Sequence, residues 1–522
     1  MEGDCDYEFL ISGIENGFHV VDVNNKPVDV ETQNYKSALC NRELVEKQIV
    51  TEVEEGRYVI VDSKPVIVSA LGAIPKTSNN GVRLIHDCSR PASYSVNDYA
   101  SLCDKVKYQS VSDACNLVNN GYFMAKVDLK SAYRSVPIHP SNYVYSGLKW
   151  TFSGTNQPQY MVDTRLMFGS RLAPGIFHRL TQAIRRIINR LYGASIIAYL
   201  DDLLVIAPSY DECNTLLHQL ITLLRSLGFS IAWEKVVSPT QQLTFLGIDI
   251  NSVSMQITLP ADKVQEVQNL INKFIKCKRA SKKDLERLAG KLSYAAHVVQ
   301  GGRIYLRRIF CLLKSLKLPH HKAKLTVGFY KDLAWWQACL REFNGKNIVP
   351  SIRDVYVVGV DACNQGAGFA CSGDWGYVNW AKDVPVAKNL HINDKEVLSA
   401  LFAVRRWGPL WKGARVLLGT DSMVAKMVLS KGRSKSALAQ QAVREIFWWS
   451  VKYDFELDVF HIPGVKNELC DAISRIHNLG DALRFRSYML KYCIWEFPLY
   501  CHMSYNSLIY ISQQWRKHWM RR

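Results

Sequence analysis

The sequence predicts an α+β chain of several domains, and three observations carry that prediction. From Arg57 to about Ile257, short β-rich runs alternate with helical stretches. After Pro260 the pattern turns helical. Near Asn347 strands return, and a second α/β pattern runs to about Leu479. The expected divisions are an N-terminal extension over 1–56, an α+β region over 57–257, a helical region over 258–346, an α/β region over 347–479 and a basic, aromatic tail over 480–522.

Each region has its own local signal. Leu44, Val45, Ile49, Val50 and Val53 form an apolar stripe that stops at Gly56, which predicts one helix in the extension. Tyr58 to Val68, Ser195 to Ile206 and Leu243 to Ile250 read as strand-rich runs. Val264, Val267, Ile271 and Phe274 share one helical face, and Ser281 with Asp284 resembles a capping box opening a second helix. Lys273, Lys276, Lys278, Arg279, Lys282, Lys283, Arg287 and Lys291 crowd these two helices with charge nearly all of one sign, which reads as a grip on a phosphate backbone ahead of the alternative, an ordinary solvated face.

With 522 residues, of which 48% are apolar and 21% charged, the chain holds cores for about three domains. The net charge of +18 is spread along the chain, which suits a long polyanion and equally a solubilising surface. Fourteen cysteines without a CxxC pair argue against a zinc knuckle or a spaced disulfide framework and for a reducing compartment. The acidic start MEGDCDYEF lacks the basic character of a signal peptide, and charge interrupts every long apolar run. Neither secretion nor a membrane partner is expected; the location is read as intracellular, cytoplasm and nucleus undistinguished.

Asp201 and Asp202 lie between two apolar strand-like runs, which places paired carboxylates at the tip of a hairpin. A third carboxylate, Asp128, follows the strand-like run MAKV. If Asp128 and Asp201 meet across neighbouring strands about 4 Å apart, their repulsion is roughly 4 kcal/mol at an effective dielectric of about 20. A hard divalent cation relieves it, and a pair of such ions can clamp the attacking and leaving oxygens of nucleotidyl transfer.

YLDD, with the upstream DLKSAY, resembles the active-site motifs of reverse transcriptases, and the likeness continues in order through RLMFGSRLAPGIF, LGFSIAWEK and TFLGI, from about Ile74 to Ile250. The resemblance implies a right-hand polymerase, with fingers and palm over 57–257 and a helical thumb and connection over 258–346. It implies that Asp128 and Asp201 are the main metal ligands and Asp202 a supporting carboxylate. Tyr133 stands where the family keeps a steric gate against a 2′-hydroxyl, and Phe168 and Gly169 where a backbone segment packs on the incoming nucleotide. Methionine, Met167, replaces the usual proline there. Lys76 and Arg83 match finger residues that hold the triphosphate, although either also reads as a surface cation. Lys235 matches a lysine near the triphosphate, a candidate proton donor to pyrophosphate.

Further on, Asp361 ends an apolar strand, Glu396 opens an amphipathic helix, Asp421 ends another strand and Asp471 lies in NELCDAISR on a short helix. Singly such acids are routine. In this order they resemble the four-carboxylate site of RNase H, which implies an α/β RNase H-like domain over 347–479. His461 falls where some relatives keep a histidine assisting product release and others a tyrosine, so a purely structural role stays open. Asn467 would shape the loop before the Asp471 helix.

DLAWW, HIPG and DAISR look most like retrotransposons of the DIRS type, with gypsy-type elements and hepadnaviral polymerases next. The implied cofactors are Mg²⁺ or Mn²⁺, two ions in each site. The implied partners are an RNA template, a DNA primer, an RNA–DNA hybrid and deoxynucleoside triphosphates, with an element-encoded recombinase alongside, since the chain shows no complete recombinase, protease or integrase motif. A decayed copy that binds nucleic acid without chemistry is the alternative reading; the presence of all seven carboxylates argues against it.

Overall fold

The computed structural model describes residues 4–22, 24–75, 81–101, 106–299, 301–342, 345–348 and 353–492. The chain forms two compact units, Met1–Ile257 with Asn347–Val349, and Thr258–Lys346 with Pro350–Arg522. The expected α+β class is observed.

In the first unit the central sheet is built from β1 (Phe123–Asp128), β2 (Ile196–Tyr199), β3 (Asp202–Ala207) and β4 (Val237–Thr240), in the order β4-β1-β3-β2 and antiparallel throughout. The runs of β2 and β3 are almost wholly apolar, and nearly all of their residues are buried. Ala125, Val127, Leu203 and Val205 join one core with Ile176, Phe177 and Leu180 of α1 (Ala173–Tyr192) and Leu217, Leu220 and Leu224 of α2 (Tyr210–Ser226). Helix α1 has proline at its start and ends at Gly193 in the left-handed region. In α2, the Ser209 hydroxyl caps the Glu212 N–H.

The strand-rich run from Tyr58 to Val68 is two strands, Tyr58–Val61 and Ile67–Val68, because Pro65 lies in the interruption and has no N–H for a ladder. They belong to one five-stranded sheet, with Gly147–Trp150 and Gln159–Asp163 between them. The ribbon Leu71–Pro75 with Val82–His86 projects Arg83. The predicted helix of the extension spans Arg42–Glu54, with Val45 and Ile49 buried. A second one, Tyr7–Asn16, was not expected. Asp4 and Asp6, at its start, pair with Arg186 and Arg179 of α1, so contacts distant in sequence stabilise it.

The second unit contains α3 (Ala261–Ile275) and α4 (Lys282–Ala295), which bury the predicted Val267, Ile271 and Phe274 and carry the Ser281–Asp284 cap. Helix α5 (Val327–Glu342) follows. A mixed sheet has β5 (Val355–Ala362), β6 (Gly366–Cys371), β7 (Asp374–Asn379), β8 (Arg415–Thr420) and β9 (Glu456–His461) in the order β7-β6-β5-β8-β9. The first three are antiparallel, and β5, β8 and β9 run parallel. Helices α6 (Ile392–Trp407), α7 (Ala437–Lys452), α8 (Glu468–Ser474) and α9 (Leu479–Tyr492) complete this part. Asp332 of DLAWW is buried and accepts from both Arg308 and Arg444, so the segment fastens α5 to α7. Tyr305 stacks on Trp335 at 3.8 Å, and Phe447 meets the same indole edge-on. Among the described residues no helix is long and apolar enough to cross a membrane.

Candidate active sites

Ladder register builds the first site. Asp202 pairs directly with Asp128 across β3 and β1 and with Tyr199 across β3 and β2. Leu200 and Asp201 are left as a two-residue turn. Leu200 has φ +51°, a conformation that costs a branched residue of order 1 kcal/mol and concentrates at functional sites. The Leu129 N–H donates to the Asp201 carbonyl at 3.0 Å and ties the turn to the end of β1.

Lys235 Nζ lies 3.1 Å from Asp128 Oδ1, so an ammonium already answers the negative charge gathered there. Asp202 turns to Lys126 Nζ at 2.8 Å. Burial, followed by the neighbouring carboxylates, raises the Asp201 carboxyl. Asp128 is also raised, first by burial, with Lys235 acting against it. The donor set is hard oxygen with excess negative charge, which fits Mg²⁺ or Mn²⁺.

Tyr133 stands in the short 3₁₀ turn Ala132–Ser135 after β1. Its ring is wedged against Phe168 at 5.3 Å and Phe177 at 5.6 Å. Burial, then the charge of neighbours including Asp201, pushes its hydroxyl up to about 12, so the phenol stays neutral. The Arg83 guanidinium lies over the Phe168 ring at 5.4 Å. Gly169 has φ +137°, and a Cβ there would sit 1.9 Å from the His86 carbonyl oxygen, so only glycine fits. Lys76 lies outside the described residues.

In the second site, Asp361 near the end of β5, Glu396 in α6 and Asp421 just after β8 present carboxylate oxygens all within 4.8 Å of one another. Ser474 Oγ donates to Asp361 Oδ2 at 2.6 Å, and the Ala362 N–H to Glu396 Oε1 at 3.3 Å. Glu396 Oε2 is buried without a hydrogen bond of normal geometry, although the Thr420 side chain and the Ala362 N–H partly hold its carboxyl down. Burial, then repulsion from Asp361 and Asp421, pushes Glu396 up to about 9; burial and its acidic neighbours push Asp361 up to about 7. An orphaned buried oxygen beside two further carboxylates is a cradle that a divalent cation fits.

Asp471 is not in that cluster; its oxygens pair with Arg475 and Arg484. His461 Nε2 lies 3.0 Å from the Asp421 carbonyl, and Asn467 Nδ2 donates to the Val360 carbonyl at 3.1 Å. Gly368 lets α8 approach the sheet, since a Cβ there would meet the Cys470 carbonyl oxygen at 2.5 Å.

The family described as Reverse transcriptase (RNA-dependent DNA polymerase) matches residues 74–250, the segment that holds the first site. The chain carries a reverse transcriptase domain. It is 23% identical over 379 residues to the genome polyprotein of Petunia vein clearing virus, covering 69% of this chain and 16% of that protein. It is 22% identical over 471 residues to the retrovirus-related Pol polyprotein from transposon opus of Drosophila melanogaster, covering 86% of this chain and 43% of that protein. The chain therefore spans well under two thirds of the length of either relative. A solved structure of the foamy viral protease-reverse transcriptase in complex with dsDNA aligns with a TM-score of 0.55 at 16% identity, covering 85% of this chain and 87% of that one. The fold is that of a reverse transcriptase polymerase followed by a further α/β domain.

Around the reverse transcriptase site, reasoning from sequence missed a buried charge network. Arg134, next to Tyr133, donates from Nη1 to both oxygens of Asp163 at 2.9 and 2.7 Å and also binds Glu52. His86, whose carbonyl faces Gly169, joins through Asp163 and through the Tyr58 hydroxyl. Arg134 in the run that follows DLKSA carries no local sign of its partners, which lie at positions 52 and 163.

Proposed function

We propose that this protein is an RNA- and DNA-templated DNA polymerase that also degrades the RNA of RNA–DNA hybrids, at two separate carboxylate sites holding two Mg²⁺ or Mn²⁺ ions each. The observation that carries the reading is the register of Asp202 on Asp128 beside the Asp201 turn, inside the segment matching the reverse transcriptase family. When bound, the ions supply charge stabilisation of the attacking and leaving oxygens and, in the second site, an activated water.

The chain's own groups do the rest. Asp128 and Asp201 hold the cations of the first site, and Asp202 supports them from its pairing with Lys126. Tyr133, fixed between Phe168 and Phe177, closes the space that a 2′-hydroxyl needs. Gly169 allows the nucleotide close to the backbone, and Arg83 and Lys76 grip the triphosphate. Lys235 is placed to give a proton to departing pyrophosphate. Asp361, Glu396 and Asp421 would form the cradle of the second site, with Asp471 as its fourth carboxylate; His461, on the Asp421 carbonyl, either assists product release or only braces that loop. The cation-rich face of α3 and α4 grips the duplex backbone. The retention of DLAWW, HIPG and DAISR supports an element of the DIRS type, working with a recombinase supplied by another chain.

The test is Mg²⁺-dependent extension of a DNA primer on an RNA template, assayed beside hybrid degradation. Extension with deoxynucleotides and hybrid loss are expected. Synthesis from ribonucleotides alone would overturn the gate assigned to Tyr133. Template binding without either reaction would replace the enzyme by a nucleic-acid-binding relic.

A further inference from the structure

Asp471 differs from the other three carboxylates of the second site. Its Oδ1 is ion-paired with Arg475 Nη2 at 2.8 Å and its Oδ2 accepts from Arg484 Nη2. Both oxygens that could meet a cation are thus already held by guanidinium groups. Arg475 stands four residues on in the chain and moves with Asp471. Arg484 arrives from a different helix, α9.

That helix is fastened to the one bearing Asp471. Phe485, next to Arg484, is 3% exposed, shares a small core with Ala472 and Ile473 of α8, and meets Trp375 edge-on at 4.7 Å. The Tyr488 hydroxyl donates to Glu468 at the start of α8. Burial of Phe485 fixes the turn of α9 that carries Arg484, so the guanidinium is aimed rather than adrift. Asp471 remains near enough for its charge to be felt at Asp361.

We propose that Arg484, delivered by α9, is a positioning residue that keeps Asp471 out of the cation cradle until a second divalent ion displaces it. The inference rests on reading the Asp361, Glu396 and Asp421 cluster as a two-ion nuclease site. Guanidinium and metal compete for the same carboxylate lone pairs. An ion among Asp361, Glu396 and Asp421 meets no such competitor, whereas one reaching Asp471 must open its pair with Arg484 or with Arg475, and of these only Arg484 is held by another helix. The two ions therefore bind unequally, and the grip of α9 sets the difference.

The experiment counts Mn²⁺ binding to the full chain by electron paramagnetic resonance of the free ion. All proteins carry Asp128→Asn and Asp201→Asn, which silence the first site. The parent is expected to bind one ion tightly and one weakly. Arg484→Met should tighten the weak ion by about two- to fivefold, the weight of a half-exposed ion pair, and leave the tight one unchanged. Arg484→Lys should restore most of the weak binding. Arg486→Met, an exposed cation on the same helix, should change neither. Melting curves in chelator establish that each variant is folded. An Arg484→Met isotherm that superimposes on the parent overturns the proposal, as does equal tightening by Arg486→Met, which would mark a general charge effect. A parent that binds no ion, with Asp361→Asn making no difference, would instead remove the nuclease reading and this inference with it.

Discussion

Glu396 and Asp361 hold protons at pH values where exposed carboxylates have lost them, because burial and each other's charge oppose ionisation. With the folded values raised to about 9 and about 7, the stability these groups contribute is complete below about pH 4 and is lost as pH rises through 7 and then 9. In chelator the melting temperature of the second unit should therefore fall between pH 6 and pH 9. Saturating Mg²⁺ should flatten that slope, since the ion replaces the protons; a slope of the opposite sign would sink the assignment. At Gly169 the constraint is steric. Gly169→Ala would push a methyl group to 1.9 Å from the His86 carbonyl oxygen at φ +137°. It should destabilise the first unit by about 1–3 kcal/mol and reduce primer extension while hybrid cleavage persists. A denaturation midpoint and the two activity assays read this directly.

Elements are joined by buried charge as well as by apolar cores. Arg134 holds Glu52 of the helix Arg42–Glu54 and Asp163 of the strand Gln159–Asp163 while standing next to Tyr133. All three side chains are under 10% exposed. Arg134→Met would strand the buried carboxylate of Asp163, while Glu52 keeps its pair with Arg57, and urea denaturation should show a loss of about 3–5 kcal/mol. The double variant Arg134→Met with Asp163→Asn should recover part of that loss, because one stranded charge is removed; no recovery would mean that the pair does not carry the energy. Little of this network was legible in the sequence. An Arg next to a motif and a Glu in a helix give no hint of partnership across more than eighty positions, since salt-bridge geometry is set by packing. The hairpin of Asp201, by contrast, was legible, because a two-residue turn and apolar flanks are local properties. The helix Tyr7–Asn16 was not, its ion pairs reaching to α1.

For the molecule as a whole, the sharpest expectation is that two chemistries separate. Asp201→Asn should lower primer extension by at least about a thousandfold and leave hybrid degradation, and Asp421→Asn should do the reverse. Loss of both activities from either single change, in a folded protein, would dissolve the two-site assignment. The α+β class and the local setting of the seven acids, at strand ends, in a turn and on helices, could be read from the chain, because strand and helix periodicity and the turns that carry acids are written in adjacent residues. Which carboxylates meet was decided by the tertiary structure alone. Asp361, Glu396 and Asp421 converge although up to sixty residues separate them, Asp471 is drawn aside by arginines, and DLAWW, legible only as a marker, is the pin between α5 and α7. Local preference fixes what each segment becomes; charge pairing and burial between distant segments fix what each side chain faces.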